Sequence, residues 1–193
     1  MKDKDLRFKK AEVSILEAFH TLINNHSIED ITVTDIISLA KINRSTFYAH
    51  YIDKYDLLAC YEASVIKSIE ELLHSSPVLS IIKDHKIDED DMYNFFTVLV
   101  NYLEINQDRI RKIISRPGNS FITALNQMIS EIWKQNHVNA QLTIPINYAA
   151  SSFSWLLTGL ICEWMSPKNC DNKEEFINIL MQISKKAPKI FFS

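Results

Sequence analysis

Glycine is nearly absent: the chain has two in 193 residues, Gly118 and Gly159. Ordinary usage would give about thirteen. Loops that cradle phosphates need glycine for tight turns and for close backbone approach, so a Walker loop and a dinucleotide fingerprint are both excluded. Tight two-residue hairpins also draw on glycine. With five prolines and two glycines, the chain reads as helices joined by short polar turns. Cysteine is scarce as well. Cys60, Cys162 and Cys170 are an odd number with no C-x-x-C spacing, which points to neither a disulfide framework nor a metal site. No cofactor is implied.

Charge of one sign is lacking too. The formal net charge is −3, so only local charge could serve a nucleic acid. The first ten residues, MKDKDLRFKK, carry five Lys/Arg against two Asp. They contain no apolar stretch of the kind a secretory signal needs, and the expected location is the cytoplasm. Residues 144–165 form the one long apolar run, with a single charge at Glu163. Asn147, Ser151, Ser152, Ser154 and Thr158 dilute it, so a helix buried on two sides is expected there and no membrane span.

What is present is helical periodicity. Apolar residues recur at three- and four-residue spacing over 6–25, with Phe8, Ala11, Ile15, Ala18, Phe19 and Leu22 on one face. Thr32 with Asp35 makes a capping box opening a short helix over 33–40. Lys41 and Ile42 turn the chain, Asn43 caps a helix over 44–50, and Asp53 caps a long one over 54–74. A mixed connector over 75–91 follows. Further helices are predicted at 92–104, 106–115, 119–136, 145–165 and 173–186, with Pro117-Gly118, Pro145 and Pro167 between them. The fold class is all-α: a three-helix helix-turn-helix unit plus a C-terminal bundle, about nine helices in total. The expected domains are 1–54 for DNA binding, and 55–193 for dimerisation and ligand binding.

Two short helices joined by a tight turn are the geometry of a helix-turn-helix, whose second helix enters the major groove. The segment 43–50 concentrates hydrogen-bonding side chains between apolar anchors Ile36, Leu39, Ile42, Phe47 and Tyr51. Arg44 suits bidentate donation to guanine. Ser45 and Thr46 suit bases or phosphates, and Tyr48 and His50 suit phosphate oxygens. Lys54 stands in the first turn of the next helix, where the positive helix end attracts an anion.

The order Thr32, Val33, Ile36, Ala40, Ile42, Asn43, Thr46, Phe47, Tyr48, His50, Tyr51, Asp53, Lys54, Leu57 resembles the DNA-binding domain of the TetR family of transcriptional regulators, over residues 8–60. The resemblance places Thr46, Tyr48, His50 and Lys54 on DNA-contact positions, and Thr32 and Thr34 on backbone-contact positions. Lys41 stands where the family has glycine and would bring another cation to the DNA; Asn43 joins the same surface as its cap. The implied partners are a double-stranded, palindromic DNA operator, a second copy of the chain, and a small-molecule or protein effector that releases a repressor.

In the C-terminal two-thirds no motif names a ligand. A pocket is expected among Tyr61, Phe95, Phe96, Leu99, Tyr102, Phe121, Trp133 and Phe153. The 145–165 helix carries Ala149, Ala150, Phe153, Leu156, Leu157, Leu160 and Trp164 on one side, and Ser151, Trp155, Thr158, Cys162 and Met165 on the other. The expected dimer interface comprises Trp155, Leu156, Thr158, Cys162, Phe176, Ile179, Leu180 and Ile183. Two rival classes are a helical enzyme, for which no nucleophile–base pair is legible, and a helical interaction module without DNA contact.

Overall fold

The structure, a computed structural model, describes residues 2–75, 89–116, 120–137, 141–166, 168–169 and 171–191. Pro117, Gly118, Pro167, Cys170, His85 and most of the expected connector lie outside the described residues. The chain divides into two compact units, Met1–Ser64 and Val65–Ser193. Nine α-helices are found among the described residues.

The N-terminal unit is built from α1 (Lys2–Asn25), α2 (Val33–Ala40), α3 (Arg44–His50) and the start of α4 (Lys54–Ser75). α1 begins four residues earlier than periodicity suggests. The short helices form because their ends are chemically closed. The Thr32 side chain accepts from Asp35 N at 3.2 Å, and the Asp35 carboxylate accepts from Thr32 N at 2.9 Å, a complete capping box. These bonds, with the Thr32 hydroxyl first, hold the Asp35 carboxyl below the usual carboxylate range. The contribution is present above the unfolded pKa and lost as pH falls through the lower folded value. Asp53 caps α4 by accepting from Tyr55 N and Asp56 N at 2.8 and 2.9 Å.

α2 ends on Lys41 at φ 55°, the one non-glycine positive φ among the described residues. Its left-handed turn lets Ile42 N donate to Ile37 O at 3.2 Å. A β-carbon in this region is strained, so Lys41→Gly is expected to raise the unfolding free energy by about 1 kcal/mol. Urea denaturation checks this; an unchanged midpoint would remove the strain argument.

Ile15, Phe19, Ile36, Phe47 and Leu57, each 0% exposed, are the centre of this unit. Tyr51 is buried, and burial pushes its phenol up to about 12. Two expected anchors differ. Leu39 is 46% exposed, because an eight-residue helix turns only one stripe inward and Ile36 holds it. Phe8 is also exposed and lies against His50 instead of in the core.

The C-terminal unit holds α5 (Glu89–Ile105), α6 (Gln107–Ile114), α7 (Phe121–Asn136), α8 (Ile146–Trp164) and α9 (Lys173–Lys186), with a short 3-10 turn at Pro188–Ile190. The acidic end of the expected connector, Glu89, Asp90 and Asp91, is the first turn of α5, where carboxylates face the positive helix end. α7 packs along α8, and α5 along α9. Trp133 seats on Ala149 and Ala150, with Leu142, Ile146, Phe153 and Phe191 around it. That fit explains why α8 turns its small residues inward: Ala149, Ala150, Ser154 and Thr158 are buried, and Leu156 is exposed, the reverse of the expected stripe for Thr158 and Leu156. α9 is tied to α5 by Tyr93 donating to Glu174 at 2.9 Å, by Lys173 to Glu104 and by Lys185 to Glu89. Among the described residues no helix is long and apolar enough to cross a membrane.

Candidate nucleic-acid interface

α3 is seven residues long and depends on its cap. Asn43 Oδ1 accepts from Thr46 N at 2.7 Å, which fixes the orientation of the amide. The Ser45 and Thr46 hydroxyls lie 2.8 and 2.7 Å from the same oxygen, so both must donate to it. Their lone pairs then point away from the cap, and both side chains meet a partner as acceptors. Phe47, fully buried, anchors the helix. Its opposite face, Arg44, Ser45, Tyr48 and Ala49, is exposed. Arg44 makes no hydrogen bond or ion pair with any described residue, so all its guanidinium donors are free. Tyr48 is held edge-on by Phe47, 5.5 Å between centroids, with half its surface outward.

Around this face the other expected residues fall into four situations. Thr34 and Lys41 are exposed, on α2 and just after it. Thr32 is exposed but committed, its hydroxyl donating to Asp35 at 2.6 Å. His50 stacks on Phe8 of α1 with centroids 3.7 Å apart, and Arg7 and Lys10 of α1 are exposed. Lys54 departs from expectation. Its ammonium donates to the carbonyls of Ile28, Glu29 and Ile31 at 2.8, 2.9 and 2.7 Å. An ammonium has three donors, and in this DNA-free chain all three are engaged by carbonyls inside the unit, where sequence led to the expectation of a phosphate contact. Sequence reading also missed Leu39, Ile52 and Tyr55, which are 46%, 80% and 54% exposed beside these elements; an apolar residue next to a cap gives no sign of facing outward.

In the C-terminal unit, Phe95 packs on Phe96 and Trp133 on Phe153, while Leu99 and Phe121 are buried and Tyr102 is half-buried. Tyr61 belongs to the N-terminal unit, edge-on to Phe19 and hydrogen-bonded to His20. Trp133 Nε1 and Thr158 Oγ1, not anticipated from sequence, are among the buried polar atoms with no hydrogen-bond partner among the described residues. Of the expected interface residues, Trp155 and Leu156 are exposed, and Cys162, Ile179 and Ile183 are half-buried. Thr158, Phe176 and Leu180, also expected at the interface, are buried inside the chain; Phe176 is stacked on Trp164. Burial pushes the Cys60 and Cys162 thiols up, away from reactive thiolates. Among the described residues no group of three or more His, Cys, Asp or Glu is placed to hold a metal ion.

A capped two-helix unit with an outward guanidinium, hydroxyl and phenol face is the arrangement of a helix-turn-helix. The other half of the chain supplies the family. The family model TetR_C_8, a transcriptional regulator C-terminal region, matches residues 90–186. The chain belongs to the TetR family of transcriptional regulators. Solved structures share the fold. A TetR transcriptional regulator from Streptococcus agalactiae is 19% identical, covers 94% of this chain and 97% of its own, and superposes with a TM-score of 0.67. NalD, the secondary repressor of the MexAB-OprM multidrug efflux pump in Pseudomonas aeruginosa, is 15% identical over 100% of this chain and 98% of its own, TM-score 0.63. FadR of Thermus thermophilus, a TetR family repressor solved with lauroyl-CoA, is 16% identical over 91% and 94%, TM-score 0.57. No curated protein matches the sequence.

Proposed function

We propose that this regulator is a repressor that binds a palindromic operator as a homodimer and is released by an effector. The observation that carries the reading is the outward face of α3. Arg44 is exposed and uncommitted at the first helical position, where a recognition helix meets base edges. Ser45 and Thr46, offered as acceptors, suit the amino groups of adenine or cytosine. Tyr48, Thr32, Thr34, Lys41, His50 and the Asn43 cap border the same surface and suit backbone contacts. Arg7 and Lys10 add positive charge to a chain that is acidic as a whole.

One recognition helix per chain reads one half-site, so a two-fold pair is required for a palindrome. The exposed face of α8 suits that pairing. Tyr148, Ser152, Trp155 and Gly159 recur along it, and Trp155 is 52% exposed. A β-carbon on Gly159 would meet nothing within 4 Å, so this face is open at the glycine. The effector site is assigned to the aromatic interior of the C-terminal unit. The lauroyl-CoA bound by FadR is a precedent for an apolar ligand. Trp133 Nε1 and Thr158 Oγ1 would give such a ligand's oxygen a donor, because a buried donor without a partner is costly.

Sedimentation should give about twice the 22.4 kDa chain mass at micromolar concentration. Trp155→Glu is expected to weaken self-association by about tenfold or more and to lower operator affinity with it. A stable wild-type monomer that still binds a palindrome would sink the dimer.

A further inference from the structure

We infer that Lys54 is a positioning residue of the DNA surface, its ammonium acting as the internal cation of a carbonyl cradle that holds α2 in place. The inference rests on the reading of α2 and α3 as the DNA-facing elements. Three observations carry it. The first is saturation: Nζ lies 2.8, 2.9 and 2.7 Å from the carbonyl oxygens of Ile28, Glu29 and Ile31, which use every donor the group has. The second is the preparation of the cradle. Ser27 donates to Asp30 at 2.8 Å, and Asp30 N and Ile31 N both donate to Ser27 O, so the 27–31 turn closes on itself. Ile28 and Ile31 are buried at 3% and 1%. Carbonyls 28, 29 and 31 converge on one shared partner, and for the part-buried carbonyls of Ile28 and Ile31 lacking one would cost free energy. The third is location. Lys54 is the first residue of α4, whose positive end disfavours a cation. The three carbonyls offset that repulsion and account for a lysine at this position.

The link to DNA binding is short. Ile31 O is one peptide from Thr32, the N-cap of α2, and Thr34 follows in its first turn. Lys54 therefore fixes the start of α2 to the start of α4, on either side of α3. Removing it frees the 28–31 turn and with it the α2 backbone contacts, without removing any charge from a phosphate.

Two arms test this. In DNA-free wild-type protein, the ammonium of Lys54 is expected to give a slowly exchanging nitrogen–proton NMR signal, assigned by its absence in Lys54→Arg. A Lys54 ammonium that exchanges as fast as solvent-exposed lysines overturns the inference without touching the DNA reading. The second arm measures operator binding across a salt series. Lys54→Ala and Lys54→Arg are both expected to lower affinity by about tenfold while the salt slope stays at the wild-type value. A guanidinium is a planar fork and does not fit three carbonyls converging on one point. Ethylammonium at constant ionic strength should restore part of the Lys54→Ala loss. If Lys54→Arg binds like wild type and Lys54→Ala flattens the slope by about 0.9 per subunit, Lys54 is a phosphate contact and the inference fails. Wild-type protein without salt-dependent DNA binding would instead overturn the proposed function and leave the first arm standing. If Lys54→Ala does not fold, Lys54→Arg and the wild-type spectrum still decide.

Discussion

Arg44→Ala is expected to cost on the order of 1–3 kcal/mol per half-site, and to relax base preference at one position of each half-site. Arg44 is the first residue of α3, exposed, and bonded to no described residue. Nothing inside the protein must be broken before it donates, so its donors are available to a base edge. Guanine presents two acceptors at the spacing of the guanidinium fork, which makes it the expected base. The same substitution should leave the melting temperature nearly unchanged, since the side chain holds up no packing. Affinity would be measured on the operator, on its single-base variants and on random DNA. Equal losses on operator and random DNA would make Arg44 a phosphate contact, and base reading would pass to Ser45 and Thr46.

Phe47→Ala is expected to have the opposite signature. Phe47 is 0% exposed, with Tyr51 and Tyr48 rings at 5.9 and 5.5 Å. Truncating a buried phenylalanine costs about 3–5 kcal/mol, through lost transfer energy and the cavity left behind. A unit of this size has little stability to spare, since domains total only about 5–15 kcal/mol. Specific and non-specific DNA binding should therefore fall together as α3 loses its seat. Helix content by circular dichroism should show an early transition, while sedimentation still reports the pair proposed through α8. A variant with wild-type melting and lost specificity would mean that Phe47 is not the anchor of α3.

The local chemistry of the N-terminal unit was legible in the sequence because it is carried by side chains close to the backbone groups they satisfy. Thr32, Asn43 and Asp53 cap the helices expected of them, and Lys41 makes the turn. What depends on tertiary arrangement was not legible. The three carbonyls around Lys54 are more than twenty residues away along the chain, and no spacing rule reveals them. The rotation of α8 was also hidden. A helix apolar nearly all round has no preferred face in sequence; here Trp133 seats on Ala149 and Ala150, and the inward face continues through Ser154 and Thr158 and leaves Leu156 out. Phe176 and Leu180 were assigned to the interface, whereas both are buried within the chain, Phe176 stacked on Trp164 of α8. The start of α5 was missed because Glu89, Asp90 and Asp91 read as a polar connector, although an acidic first turn favours a helix.

The central claim is that α3 reads DNA from a two-fold pair of chains. Its most direct test is selection from a random double-stranded pool with the purified wild-type protein. The account expects enrichment of a two-fold symmetric sequence with half-site centres about one helical turn, or a multiple of it, apart. It also expects a guanine in each half-site whose replacement no longer matters in Arg44→Ala. A pool that stays random after repeated rounds at low salt, with protein shown to be folded, would contradict it.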